Sequence, residues 1–569
     1  MPAARPQGAP WPRIPLAGGG QETLLSEVGS QYLLPLFTTA DACALRLVCR
    51  EFLAAVSEQP WEDEETVIKG SIGAWRACFP RALSANVMQL TGLPAWRSTL
   101  VVDADFVHLE ALRCLDMRGC TSISDAAFVH LRGIHTLYMN RCSQGGITDA
   151  AFAHLQGIHK LCMGGCSQAS ITDDAFSHLR GIHTLIMPCC SQDSITDAAF
   201  LPLRGIHSLF ISYCSQFTDA AFVHLRGIHT LNMTGCNQDG ITDAAFAQLR
   251  GIERLDMSEC NQVGITDAAF AHLRGIHTLR MASCSQPSIT DAAFVHLRGI
   301  CRLNMKFCSQ AGITDAAFVH LRGIQMLSMR GCSQAGITDA AFAHLCGIQL
   351  LFMSECSQAG ITDAAFAHLR GIRVLRMHGC HQPGITDAAF AHLQGIHTLD
   401  MSECSQAGIT DAAFVHLRGI HTLDISHCSQ AGITDAAFAN LRGIRRLNMS
   451  FCSQAGITDA AFVHLRGIHT LHMSDCSQAG ITDAAFAHLR GVRTLDMSYC
   501  RQAGITALVH THGVHKLNVG GCSLPITTLA RLLGAYSLGL SWIRDDLFFI
   551  GVSLVLASTQ AGPAPPAPS

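Results

Sequence analysis

The chain has 569 residues, of which 49% are hydrophobic and only 14% charged, and its formal net charge is −4. That balance excludes a general electrostatic attraction to nucleic acid or to an anionic membrane surface. A chain with so few charges stays in solution only if its apolar residues are stacked in register, away from water.

Residues 1–21 are rich in Pro and Gly and have no apolar core, so they are expected to be disordered and to lack a secretion leader. The first expected element covers residues 22–67. Leu33-Leu34-Pro35-Leu36-Phe37 is followed by Asp41, then by Leu45-Arg46-Leu47-Val48-Cys49-Arg50-Glu51-Phe52, and the segment closes near Pro60-Trp61. Leu45, Val48 and Phe52 are three and four apart, the spacing of one helical face. The L-L-P-L-F run before L-x-x-V-C-R-x-F resembles an F-box, in which L-L-x-x-(I/L)-F precedes L-x-x-V-C-R-x-(F/W) at about this spacing. The resemblance implies a small all-α module that binds the Skp-family adaptor of a cullin–RING ubiquitin ligase. Leu33, Leu34, Leu36, Phe37, Leu45, Leu47, Val48, Cys49, Phe52 and Trp61 would make the contact. The residues alone also fit a small helical cap on the adjoining part of the chain. Residues 68–100 are expected to be a linker or N-terminal cap.

From 101 to 522 one unit recurs about seventeen times, reading I-T-D-A-A-F-x-H-L-R-G-I-H-T-L-x-M-x-x-C-S-Q-A-G. Its phenylalanine returns every 24 residues, except for steps of 22 between Phe106 and Phe128 and between Phe200 and Phe222. Such a period marks a solenoid, in which each unit buries its apolar side only against its neighbours. In the copy 134–157, Leu137 and Met139 are two apart and predict a short strand with both side chains inward. Ser143-Gln144-Gly145-Gly146 is a turn by composition. Thr148 fits a helix N-cap, Asp149 sits where the helix dipole favours an anion, and Gly157 ends the helix.

L-x-x-L-x-(L/M)-x-x-C followed by I-T-D-A-A-F resembles the cysteine-containing leucine-rich repeat. The resemblance implies an α/β solenoid, a leucine-rich-repeat horseshoe with a parallel sheet inside its curve and helices outside. F-boxes in front of such repeats form a known architecture. Of the 26 cysteines, 18 occupy one column of the repeat. One sulfur per repeat, all pointing alike, does not converge tetrahedrally on a metal ion and argues against disulfides between successive cysteines, so buried reduced thiols are expected, with metal or disulfide as the alternative. Histidine fills two columns, one on the helices and one before the strands. It reads as polar surface, with proton sensing near the ordinary imidazole pKa as the alternative.

The informative columns are the ones that vary. The residue between Leu and Met, and the one three further on, point out from the sheet. With the adjacent Arg302, Lys306 and Arg330 they give an apolar stretch (Tyr138, Ile186, Phe210, Tyr213), a basic middle (Arg280, Arg302, Lys306, Arg330, Arg376, with Phe352 among them) and an acidic end (Asp400, Glu403, Asp424, Asp475, Asp496). Exposed aromatics in such a row are frequent interface anchors, although drift in a recently multiplied repeat would also diversify surface positions. The shortened copy at Phe217-Thr218-Asp219, with Pro202 in the preceding helix, predicts a local bend.

Residues 523–560 are expected to cap the last repeat, and 561–569 to be disordered. The apolar run Leu547–Ala557 has 11 residues, too few to cross a membrane. No nucleophile with a base, phosphate-cradling loop or carboxylate pair is apparent, so neither an enzyme nor a cofactor is expected. Two functions fit. One is the substrate-recognition subunit of a Skp–cullin–F-box ubiquitin ligase, cytoplasmic or nuclear, with its protein target on the concave face. The other is a leucine-rich-repeat interaction scaffold with no ligase role.

Overall fold

A computed structural model describes residues 34, 37–46, 50–89, 100–489, 491–506, 508, 514–525, 528, 537–540 and 554–557. The segments 1–21 and 561–569 lie outside the described residues, as do Leu33, Leu36, Leu47, Val48 and Cys49. The chain divides into two compact bodies, Met1–Ile182 and His183–Ser569.

The first body opens with helices α1 (Thr39–Leu45), α2 (Arg50–Glu58) and α3 (Ile72–Cys78). A reciprocal cap starts α1: Thr38 donates from its N–H and Oγ1 to Asp41, whose N–H donates back to Thr38 Oγ1. The helix expected to run through Leu45, Val48 and Phe52 is described as α1, a turn at Arg46, and then α2. Leu34, Ala42, Val56, Trp61, Phe79 and Ala82 form one buried cluster. Trp61 stands edge-on to Phe79, 5.8 Å between ring centroids, and its indole N–H donates to Val56 O at 2.8 Å. The expected boundary at residue 67 therefore cuts through a single core. Phe79, beyond that boundary, shares the buried cluster with Trp61 before it. The expected linker is also part of the sheet: strand Ser84–Asn86 pairs in parallel with Cys114–Asp116, ahead of the anticipated start at 101.

Beyond the helices the architecture is that of the repeat. In the first body the strands Ser84–Asn86, Cys114–Asp116, Thr136–Tyr138 and Lys160–Cys162 pair in parallel, each with the next. In the second body fifteen successive three-residue strands, Thr184–Ile186 to Lys516–Asn518, do the same. The leucines of adjacent strands stand in register, as Leu303 does with Leu327. At the C-terminal edge Lys516–Asn518 pairs antiparallel with Leu554–Ala557, which pairs with Ser537–Leu540. These strands cover an edge that would otherwise present unpaired backbone groups.

The core is built from columns. The phenylalanines are buried throughout, from Phe106 to Phe486, together with the Leu, Met, Ile and Cys columns. The predicted helix is a single α-turn, Asp149–Phe152 in the third copy, continued by a 3-10 turn at Ala153–Leu155. One turn does not hold itself in water; here the neighbouring repeats hold it. In the copy at Thr338, the threonine caps the turn by accepting from Ala340 N. The Asp315 carboxylate of the preceding copy accepts from Thr338 N (2.7 Å), Thr338 Oγ1 (2.6 Å) and Ala341 N (3.1 Å). Asp339 N donates to Gly360 O in the following copy. The free N–H groups of the turn are thus all satisfied, in large part across repeat boundaries.

The strand side is clasped as well. Cys308 Sγ donates to Met281 O at 3.1 Å, and Gln334 Nε2 to Cys308 O at 2.9 Å. The shortened copy keeps the ladder: Ser208 to Phe210 pair in register with Thr230 to Asn232, and Thr218 bonds Asp197. Phe217 fills the isoleucine position there, fully buried against Phe200 at 4.6 Å. Pro202 lies in a 3-10 helix, Asp197–Leu203; the copies on either side have an α-turn there, and the first copy also has a 3-10 helix, Asp103–Leu109.

Replacing Asp315 by Ala removes the acceptor of Thr338 N and Thr338 Oγ1 and one of the two acceptors of Ala341 N, at an expected cost of about 1–3 kcal/mol. A urea titration followed by circular dichroism should show a lower midpoint or a split transition, as the array breaks at one interface. An unchanged curve would contradict this role.

Candidate protein-binding face

The first and third residues of each strand, with the two that come after Met, form the sheet face away from the core. Ile186 and Phe210 are neighbours in register, both half-buried. Tyr213 is half exposed, and its hydroxyl donates to Glu259 at 3.0 Å. Tyr138 belongs to the first body, where Lys160 Nζ donates to its hydroxyl at 3.1 Å and lies 4.9 Å from its ring centroid.

The outermost column, just before each Cys, has left-handed backbone even where it is not glycine: Tyr213, Glu259, Phe307, Glu355 and Phe451 have φ between 57° and 60°. Such a conformation costs of order 1 kcal/mol or more. It is held by a bond to the next copy, as from Phe307 N to Arg330 O at 2.7 Å. Each of three exposed rings here covers a glycine one copy on. A Cβ at Gly235, Gly331 or Gly521 would collide with Tyr213, Phe307 or Tyr499. That pairing was present in the sequence as an aromatic with Gly one period later, and it went unread.

The acidic end is less available than its formal charge. Asp400, Asp424 and Asp496 each accept from the serine two residues on: Ser402, Ser426 and Ser498 bond them at 2.6, 2.6 and 2.8 Å. Asn448 and Asn518 add further donors to Asp424 and Asp496. Burial would raise the Asp496 carboxyl, but its donors Ser498, Ser474 and Asn518 outweigh that and hold it low. Asp256 is bonded to Ser258 in the same way. These aspartates serve the local turn. The recurring D-x-S was the missed signal.

The cations are freer. Arg280 and Arg376 are exposed. Arg280 lies 3.5 Å from Asp256, Arg330 pairs with Glu355, and Arg330 and Arg376 lie over the rings of Phe307 and Phe352 at 5.6 and 5.2 Å. Arg280, Arg302, Lys306, Phe307 and Met326 line an open depression of about 510 Å³.

The cysteine column is closed to chemistry. Burial pushes the Cys332 thiol up to about 12, and that of Cys236 to about 11, so each remains a protonated donor to a carbonyl. Of the residues expected from the sequence to contact an adaptor, Leu34 and Trp61 are in the buried cluster and Phe37 packs against it. Leu45 ends α1 and Phe52 lies in α2.

The histidine columns form contacts. His183, His207 and His229 stack in sequence at 4.5 and 4.4 Å. On the helical side arginines donate to the imidazole of the next copy, as Arg298 Nε does to His320 Nδ1 at 3.3 Å.

No protein-family profile matches the chain, and no curated protein matches it. Solved structures do. A chain of the mouse RP105/MD-1 complex matches at 14% identity and a TM-score of 0.57, over 85% of this chain and 83% of that one. A chain of the TLR13–ssRNA13 complex gives 16% and 0.54, over 83% and 76%. A chain of the Drosophila Toll–Spatzle complex gives 15% and 0.53, over 78% of this chain and 62% of that one. This chain thus spans under two thirds of the Toll chain. At these identities the likeness establishes the fold, a leucine-rich-repeat horseshoe. Among the described residues no helix is long and apolar enough to cross a membrane.

The histidines imply a pH dependence. Burial and Arg204 lower His224, and burial and Arg298 lower His320. Burial and the stacked neighbours lower His207 and His421. A base with a lower pKa folded than unfolded binds more protons when unfolded. Stability is therefore full above the ordinary imidazole value of about 6.5 and is lost as pH falls below it. The melting temperature should drop between about pH 7.5 and pH 5.5, where ordinary carboxylates stay ionised. A flat or rising profile would refute it.

Proposed function

We propose that the chain is a protein-interaction receptor whose sheet face holds a protein partner. One observation carries this: sequence variety is concentrated in the outward columns of a face whose remaining columns are fixed by bonds between copies. Three fold neighbours, all solved as complexes with Spatzle, ssRNA13 or MD-1, support a binding role. The absence of any reactive thiol in the cysteine column fits binding better than catalysis.

The finer reading is the substrate-recognition subunit of a Skp–cullin–F-box ligase. It is supported by the F-box-like sequence from Leu33 to Trp61 and by the compact helical cluster that segment forms ahead of the repeats. In that role the receptor raises the effective concentration of a target lysine near the ligase's charged partner enzyme. Leu34 and Trp61 then support the module from within, and adaptor contact falls to residues such as Leu47 and Val48. A scaffold with no ligase role is the competing outcome.

Immobilised Skp-family adaptor should retain the full chain and lose the Leu47→Ala/Val48→Ala variant, with both proteins melting alike. Equal retention, or none of the wild-type chain, would remove the ligase role and leave the interaction scaffold. Trp61→Ala should abolish retention indirectly, since emptying that site costs about 3–5 kcal/mol and loosens the cluster.

A further inference from the structure

Five successive strands of the second body differ from those around them: Thr278–Arg280, Arg302–Asn304, Met326–Ser328, Leu350–Phe352 and Val374–Arg376. The first strand position is Thr, Ser, Lys or Arg in the surrounding repeats. Here it becomes Met326, Leu350 and Val374, three half-buried apolar residues standing side by side in register. The serine or threonine that caps the outward residue on the flanking strands, such as Ser258 and Ser402, is also lost, to Ala282, Lys306 and Arg330 in three consecutive copies.

Positive charge replaces it. Neither Arg302 nor Lys306 has an ion-pair partner among the described residues, and both line the depression of about 510 Å³ with Met326 at its edge. On either side the patch is bounded by an outward aspartate held by its own serine, Asp256 and Asp400.

We propose that this patch seats an extended acidic segment of a protein partner carrying apolar side chains between its carboxylates. The proposal rests on the reading of the sheet face as a protein-binding surface. Carboxylates of the segment meet Arg280, Arg302, Lys306 and Arg376, and its apolar side chains lie along Met326, Leu350 and Val374. Five strands about 4.8 Å apart span roughly 20 Å, the length of an extended segment of about six residues. The bounding aspartates repel further acidic residues and set that length. Charge complementarity selects an anionic occupant, and the apolar stripe favours peptide over RNA, whose sugars and phosphates would leave it unmatched. Glu259, which lines the depression, and Glu355, which is paired with Arg330, oppose a continuous phosphate backbone.

The test is fluorescence anisotropy with the full chain and four labelled probes. They are an alternating Glu-Leu peptide of about eight residues, the same peptide with Ser for Leu, the same with Lys for Glu, and oligouridylate. The Glu-Leu peptide should bind best. Its affinity should fall about tenfold or more in Arg302→Glu/Lys306→Glu, and fall with added salt. Leu350→Ser should weaken the Glu-Leu peptide while leaving the Glu-Ser peptide unchanged. Melting curves confirm that each variant is folded. Equal binding by wild type and variants, no binding by the folded chain, or preference for the Lys-Leu peptide or oligouridylate overturns the proposal. A photo-crosslinker at Asn448, on the same face outside the patch, separates two failures. If it captures a protein partner in cells while the peptides fail, only this proposal falls; if nothing contacts the face, the broader reading falls as well.

Discussion

A carboxylate in one copy caps the helix of the next, and the rest of the solenoid depends on that clasp. The helix of each unit is one turn, far below the length at which a helix persists alone. Asp315 supplies the acceptor for Thr338 N and a second one for Ala341 N, which also donates to Thr338 O, while Thr338 Oγ1 accepts from Ala340 N. The same pair recurs along the array, as with Asp125 and Thr148 in the first body and Asp459 and Thr482 near the end of the second. Because the bonds cross the boundary between copies, local structure and stacking form together.

With the helical edge clasped and the strand edge paired, the inner columns can be nearly invariant. Glycine enters where a neighbour comes too close: a Cβ at Gly336 would lie 2.9 Å from Thr314 Cγ2. Variety is left to the outward positions, and even there it is coupled. Asp256, Asp400, Asp424 and Asp496 each have a serine two residues on, and the rings of Tyr213, Phe307 and Tyr499 each have a glycine one copy later. Charges that look free in the sequence are therefore not equal in the structure. Asp400 and Asp424 work for the backbone, whereas Arg302 and Lys306 face solvent unpaired among the described residues.

Much of this fold was legible in the sequence, because periodicity reports packing directly. Leu137, Met139 and Phe152 face inward as their spacing requires, and Thr148 caps its helix as its position suggests. Three features were not legible, for physical reasons. Asp149 was read only against the helix dipole, since a contact reaching 23 residues onward to Thr172 leaves no local pattern. The module boundary was misplaced because Trp61 and Phe79 meet across a stretch that reads as a linker. The outward face was read by formal charge, which does not say whether a carboxylate already has its donors.

Amide hydrogen exchange on the unmodified full chain, read by mass spectrometry over the I-T-D-A-A-F segments, tests the clasp most directly. The account predicts that the Thr, Asp and second Ala amides of every interior copy are strongly protected, to the same degree as the strand amides beside them. Fast exchange at those threonine and alanine amides, with the strands still protected, would show that the helical edge frays independently and that the clasp does not hold the array.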